Sequence, residues 1–211
     1  MIKKSIYFII FLVFINIDLF SQNNSSNMHT VDMFDAISNS LKTKPKFFVS
    51  SDSKNSFISS RAGLFFGAKI GLEFENTIRL GLGFTGLFNK TYSGYINGIK
   101  KSDENLNFNY ISIFAEYIFN NKKKYDFALP IAFGFGYSWL GDFETSNSRD
   151  FVILYETQLI GTYYPIEYIG VGAGVGYRIM LLNNSYIDEN FTAPIYSIKL
   201  KINFGELLER I

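Results

Sequence analysis

From Arg61 to Phe204 the chain alternates with a period of two. Ala62, Leu64, Phe66, Ala68, Ile70, Leu72 and Phe74 share one face, and Gly63, Phe65, Gly67, Lys69, Gly71 and Glu73 share the other. Such alternation is the signature of a strand whose two faces meet different surroundings. The same split separates Ile78, Leu80, Leu82 and Phe84 from Thr77, Arg79, Gly81 and Gly83. It separates Phe127, Leu129, Ile131, Phe133, Phe135, Tyr137 and Trp139 from Asp126, Ala128, Pro130, Ala132, Gly134, Gly136 and Ser138. Ile169 to Ile179 and Tyr196 to Phe204 repeat it, with Arg178, Lys199 and Lys201 on the minor faces. Phe108–Phe119 and Phe151–Tyr164 alternate less cleanly, and set Ser112 with Glu116 and Glu156 with Gln158.

The minor face decides the architecture. A soluble sandwich buries its apolar face and wets the other, which then carries many charges and few glycines. Here the minor face is glycine, alanine and serine with isolated charges, as in a narrow barrel whose apolar face meets lipid. Connections agree. Glu75-Asn76, Asn120–Lys124 and Pro165–Glu167 are short, whereas Asn89–Asn105, Gly141–Asp150 and Leu182–Pro194 are long. Short periplasmic turns and long outer loops are the membrane-barrel habit. Seven strands are plain, and the first of them must descend, so an ascending strand is needed before it; Lys46–Asp52 supplies it. The expected fold is all-β, an eight-stranded antiparallel up-and-down transmembrane β-barrel with a short N-terminal helical lead-in.

The N-terminus refines the compartment. Lys3 and Lys4, an apolar run from Ile6 to Ile15, then Asn16 and Asp18 form a secretory signal. The run is shorter than the roughly 20 residues that span a bilayer as a helix. The Leu19-Phe20-Ser21-Gln22 junction resembles the signal ends of Bacteroidota secreted proteins, which implies cleavage after Ser21, giving residues 1–21 as signal, 22–44 as periplasmic lead-in, 45–205 as barrel and 206–211 as tail. In the lead-in, Val31, Phe34, Ile37 and Leu41 recur at helical spacing after Thr30, with Lys42, Lys44 and Pro45 closing the helix. It either packs on the periplasmic rim or lies on the membrane surface.

Composition removes most chemistry. The chain has 211 residues, no Cys, one His and a net charge of +1, with 23 Phe and 14 Tyr. No thiolate site, disulfide or His-rich metal centre is available, and no charge excess favours nucleic acid. Gly81-Leu-Gly83-Phe-Thr-Gly86 has dinucleotide-fingerprint spacing but lies inside a strand, with no helix to hold a pyrophosphate. His29 precedes the barrel. Barrel enzymes that cleave or move acyl chains resemble one another in needing a histidine at the outer rim. A helix before eight strands resembles the lipid A palmitoyltransferase layout, but that rim histidine is missing. The expectation is no catalysis, no cofactor and no metal.

The inward charges are the main constellation. Folding at Glu75-Asn76 sets Glu73 opposite Arg79 and Lys69 opposite Gly83. Folding at Pro165–Glu167 sets Glu156 opposite Gly176, diagonal to Arg178. Arg61, Lys69, Arg79, Arg178, Lys199 and Lys201 then face Glu73, Glu116, Asp126 and Glu156. Eight strands enclose little more than side chains, so Lys69, Glu73, Arg79, Glu116, Glu156, Arg178, Lys199 and Lys201 are expected as a structural ion-pair network. A narrow pore or small-ligand carrier is the alternative. Tyr137, Trp139, Tyr177 and Tyr196 are expected in an outer aromatic girdle, and Tyr117, Tyr163 and Tyr168 in an inner one.

Ser56-Phe-Ile58, Gly67-Ala-Lys-Ile-Gly-Leu-Glu-Phe74, Gly170-Val-Gly-Ala-Gly-Val-Gly-Tyr-Arg178 and Ile187-Asp-Glu-Asn-Phe191 resemble small outer-membrane β-barrel proteins of Bacteroidota, mostly without assigned function. The resemblance covers Pro45 to Gly205. It implies an outer-membrane location and a structural or surface-interaction role. The implied partners are membrane lipid, lipopolysaccharide and, through the aromatic-ended last strand, the barrel assembly machinery; a monomer is expected. The family brings no catalytic residues.

Overall fold

A computed structural model of the chain describes residues 33–58, 61–88, 91–96, 99–122, 124–141, 148–187 and 191–204. The signal segment, Thr30, Val31, His29 and the tail from 205 lie outside the described residues. Helix α1 (Met33–Ser40) is followed by β1 (Lys46–Ile58), β2 (Arg61–Phe74), β3 (Ile78–Leu87), β4 (Thr91–Ile96), β5 (Ile99–Lys122), β6 (Tyr125–Leu140), β7 (Asp150–Ile166), β8 (Ile169–Leu182) and β9 (Ala193–Asn203). All pairings are antiparallel. Each barrel strand pairs with its neighbour in the chain, β1 pairs with β9, and β3 pairs with β5. Eight strands thus close without an edge. Closure matters because an open edge in lipid leaves backbone groups unpaired.

β4 is a ninth strand outside that ring. It pairs only with the outer end of β5, Thr91 with Asn105 through Ile96 with Ile99. The segment expected as the loop Asn89–Asn105 is therefore largely a hairpin ribbon continuing β5. Its polar residues hid a backbone ladder that needs no apolar face. The first strand also runs six residues past its expected end at Asp52, pairing Ile58 with Arg61. Its outward face carries Ser51, Ser53 and Asn55, so the apolar half of the alternation is missing there.

The first short turn spans Glu75–Thr77 and places Glu75 at φ 46° and Asn76 at φ 52°. Asn tolerates this left-handed region, and Glu does so less readily. The Thr77 amide donates to Phe74 O at 2.9 Å. Glu73 consequently faces Arg79, and Lys69 faces Gly83. The turn between β7 and β8 differs from expectation. Ile166 pairs with Ile169, and a bulge lies between Tyr163 and Ile166. Register moves by two residues, so Glu156 faces Arg178 directly and Gly176 faces Gln158. A slip of two keeps every side chain on its face, which is why alternation did not detect it.

The barrel is inside out relative to a water-soluble sheet. Phe66, Ile70, Leu82, Phe84, Ile111, Phe133, Val175 and Leu200 are exposed outside, whereas Lys54, Lys69, Arg79, Glu116, Glu156, Arg178, Lys199 and Lys201 are buried inside. An exterior this apolar suits lipid. Tyr137, Tyr163, Tyr177 and Tyr196 are exposed on that exterior. Trp139 shares the outward parity of Tyr137, but its surroundings bury it to 8% exposure, so it is no open girdle residue. Phe47 and Phe204 meet at 6.0 Å between ring centres beside the end of the barrel with the short turns.

Candidate functional site

The lumen holds two ion networks under an apolar cap. Each follows from the inward parity of its strand. The lower network lies near the short turns and is centred on Arg79 of β3. Arg79 Nε donates to Glu73 at 2.5 Å, Nη1 to Glu116 at 2.5 Å and Nη2 to Asp126 at 2.5 Å. Tyr164 donates its hydroxyl to Asp126 at 2.6 Å and accepts from Arg79 at 3.1 Å. Lys199 bridges both oxygens of Glu116 at 3.0 and 2.9 Å, and Lys201 binds Glu73. Three cations, Arg79, Lys199 and Lys201, thus meet three carboxylates. The guanidinium's five donors make four bonds here, to three carboxylates and the Tyr164 hydroxyl, one more than the three donors of an ammonium allow.

The upper network is centred on Glu156 of β7. One oxygen accepts from Arg178 Nε at 2.8 Å and from the Tyr110 hydroxyl at 2.7 Å; the other accepts from Lys54 at 2.7 Å. Asp52 pairs with Lys69 at 3.0 Å and lies 3.8 Å from Lys54. Here Lys54, Lys69 and Arg178 meet only Asp52 and Glu156, a surplus of one positive charge. Nη1 and Nη2 of Arg178 have no hydrogen-bond partner among the described residues. Its guanidinium instead lies 4.2 Å from the Phe65 ring centre, 5.5 Å from Phe108 and 5.7 Å from Tyr110. Ring faces attract a desolvated cation by about 2 kcal/mol, so aromatic carbon takes the place of a third carboxylate.

Above Arg178 the lumen turns apolar. Phe65, Leu87, Leu106, Phe108, Tyr110, Leu140, Val152 and Leu154 pack with Ile187 and Phe191 from the β8–β9 connection. The rings of Phe191 and Phe108 meet at 5.0 Å between centres, tilted by 44°. Asn184 anchors this cap: its amide nitrogen donates to Ser138 O, Ser138 Oγ and Ser148 O, each at 2.9 Å. Ser185 adds bonds from its amide and hydroxyl to Asp150, at 2.9 and 2.6 Å.

All eight residues expected in the network lie inside the barrel, and each makes an ion pair. The expected balance of six basic and four acidic residues changes. Lys54 and Asp52 join, and the side chain of Arg61 lies outside the described residues. Lys54 lies beyond the expected strand end at Asp52, and Asp52 is that strand's last residue, where no inward role is read; their parity with Phe48 and Ser50 is the available signal. Tyr110 and Tyr164 are not among the expected partners; their signal is parity, since Tyr110 shares the face of Ser112 and Glu116 and Tyr164 that of Glu156 and Gln158. Gly81, Gly83 and Gly86 lie in β3. No helix follows β3 among the described residues. No group of three or more metal-ligating side chains occurs among the described residues. Each carboxylate of the two networks meets at least one cation, while Oδ1 of Asp52 and Oδ1 of Asp126 are buried without a hydrogen-bond partner among the described residues.

No protein-family model and no curated protein matches the chain. Solved structures do. The crystal structure of Neisserial surface protein A is similar over 75% of this chain and 97% of its own, with a TM-score of 0.60 at 16% identity. The N-terminal β-barrel domain of Pseudomonas aeruginosa OprF is similar over 76% of this chain and 100% of its own, with a TM-score of 0.52 at 12% identity. The chain therefore has the fold of the small outer-membrane β-barrels. At these identities the likeness carries the fold and leaves the role to the lumen and loops. The kinship to Bacteroidota barrels rests on the sequence segments alone.

Proposed function

We propose that the chain is an outer-membrane protein whose filled barrel is a scaffold, and that its role is structural or one of surface contact through the outer connections. The observation that carries this reading is the lumen. Two ion networks and a ten-residue apolar cluster occupy it from the short turns to the outer mouth. Eight strands leave room for side chains and little else. The similar fold of a protein named a surface protein supports the location. Export through a signal ending at Ser21 and contact with outer-leaflet lipopolysaccharide belong to the same proposal. So does passage through the barrel assembly machinery.

The test is reconstitution into planar bilayers. The proposal expects no steady single-channel conductance, and a reproducible ohmic channel would replace it with the pore reading. A second arm places an epitope in the ribbon between residues 91 and 105 and asks whether intact cells display it. Display only after permeabilisation would overturn the orientation.

A further inference from the structure

The charged side chains buried in the lumen do not balance. Among the described residues, Lys54, Lys69, Arg79, Arg178, Lys199 and Lys201 stand against Asp52, Glu73, Glu116, Asp126 and Glu156, six cations to five carboxylates. The lower network is neutral within itself, so the surplus belongs to the upper one. There Lys69 has Asp52 at 3.0 Å and Lys54 has Glu156 at 2.7 Å. Arg178 shares Glu156 with Lys54 and holds it through Nε alone. Nη1 and Nη2 end the side chain, beyond Nε, and carry four of its five N–H groups. Both are buried without a hydrogen-bond partner among the described residues, and Arg178 as a whole is 0% exposed.

The rings around this guanidinium attract its charge without completing its bonds. Phe65, Phe108 and Tyr110 lie 4.2, 5.5 and 5.7 Å from Cζ. Ring carbon offers an N–H group no lone pair, and an N–H contact with a ring is weak beside one with an acceptor. Burying a charged donor with nothing to accept from it costs more than burying a neutral one. On the neighbouring strand Arg178 pairs with Ala193, whose inward methyl accepts no hydrogen bond, and Ile195 is the next inward residue.

We propose that Nη1 and Nη2 of Arg178 bind one chloride ion, held inside the barrel where the upper network meets the apolar cap. Charge, shape and size select this ion. One negative charge cancels the surplus of one. A halide is spherical and accepts from several N–H groups at once. Polyatomic anions are too large, because eight strands enclose little beyond side chains and the ten-residue apolar cluster covers Arg178 on the outer side. A water molecule could accept from the same groups but would leave the charge in place. The ion enters as the chain folds, so the folding equilibrium depends on its concentration. The site is separate from the scaffold role proposed above: conductance tests that role, and anion linkage tests the site.

The full chain is refolded from urea into uncharged phosphatidylcholine vesicles at constant ionic strength, with gluconate, too large for the lumen, replacing chloride. Raising chloride from about 1 to about 100 mM should raise the folding constant by about tenfold to a hundredfold for any Kd up to about 10 mM, with a slope approaching one ion per chain. In Arg178→Met the same titration should be flat. In crystals grown with bromide in place of chloride, the anomalous signal should lie against Nη1 and Nη2 of the parent protein, which decides the matter if the variant does not fold. Equal folding of the parent in chloride and gluconate overturns the site, since water then suffices. So does an anion dependence that persists in Arg178→Met, and so does bromide found only elsewhere.

Discussion

Glu156 and Arg178 should respond very unequally to removal, although they form one ion pair. Glu156 neutralises Arg178 and Lys54 and accepts from Tyr110. Replacing it by Leu strands two cations and raises the local surplus from one charge to two. Breaking a buried pair from the side that leaves charge uncompensated costs about 3–5 kcal/mol, and the stranded second cation puts this case at the upper end. Replacing Arg178 by Met does the reverse. It loses one charge-assisted bond and the faces of Phe65 and Phe108, but it removes the surplus charge and two amino groups that have no partner among the described residues. Lys54 and Tyr110 still satisfy Glu156. A net cost below about 2 kcal/mol is expected, since Met keeps most of the packed volume. The double change E156L/R178M should cost less than E156L alone. Urea unfolding in lipid vesicles, analysed as a double-mutant cycle, measures all three. If R178M costs as much as E156L, the charge bookkeeping of the upper network is wrong. If both cost under about 1 kcal/mol, the lumen is solvated and its pairs behave as surface pairs.

Asn184→Ala removes the contacts that its amide nitrogen donates to Ser138 and Ser148 and the two that its oxygen accepts from the Tyr186 and Ile187 amides. It should destabilise by about 1–3 kcal/mol, read as faster exchange at the Ser185 amide, whose own acceptor is Asp150, with β6 unchanged; slow exchange there would mean the apolar cap alone holds the loop. Gly136→Ala would put a Cβ 2.0 Å from Asn109 O and 2.6 Å from Tyr110 Cα. Backbone cannot yield as a side-chain tip can, so a loss of about 1–3 kcal/mol is expected, seen as unfolding at lower denaturant on a mobility gel. The protein recovered from outer membranes should begin at Gln22, and an intact Met1 by sequencing would contradict the exported reading.

Much of the barrel was legible because its rule is local. Period two assigns a face to each residue without any knowledge of neighbours, and it found seven strands and nine of the buried charged residues. What it could not see was non-local or periodless. β4 pairs as a ribbon through backbone alone. The outer half of β1 breaks the apolar pattern, and with it went Lys54 and Asp52. The apolar cap was hidden for another reason. Phe65, Phe108, Val152 and Leu154 lie on the minor face, where they read as lapses in the pattern. Only closure of the barrel shows that these lapses lie at one level and meet Ile187 and Phe191.

The slipped register between β7 and β8 shows what the inward charges add. Sequence alone placed Glu156 opposite Gly176, and that arrangement keeps every aliphatic side chain outside and every polar one inside. The exterior is indifferent to a shift of two residues, because lipid contacts any aliphatic residue equally well. The lumen is not. In the observed register Glu156 meets Arg178, and Gly176 lies against Gln158, where an added Cβ would be 2.4 Å from Gln158 Cγ and 2.2 Å from Thr157 O. With Glu156 opposite Gly176, Arg178 would lie opposite Leu154 and reach its carboxylate only diagonally, and a buried cation that loses its acceptor costs several kcal/mol. Hydrophobic alternation therefore selects the face, and buried charge selects the register. A membrane barrel needs the second device more than a soluble sheet does, because its apolar surface has no packed core to reward one alignment over another.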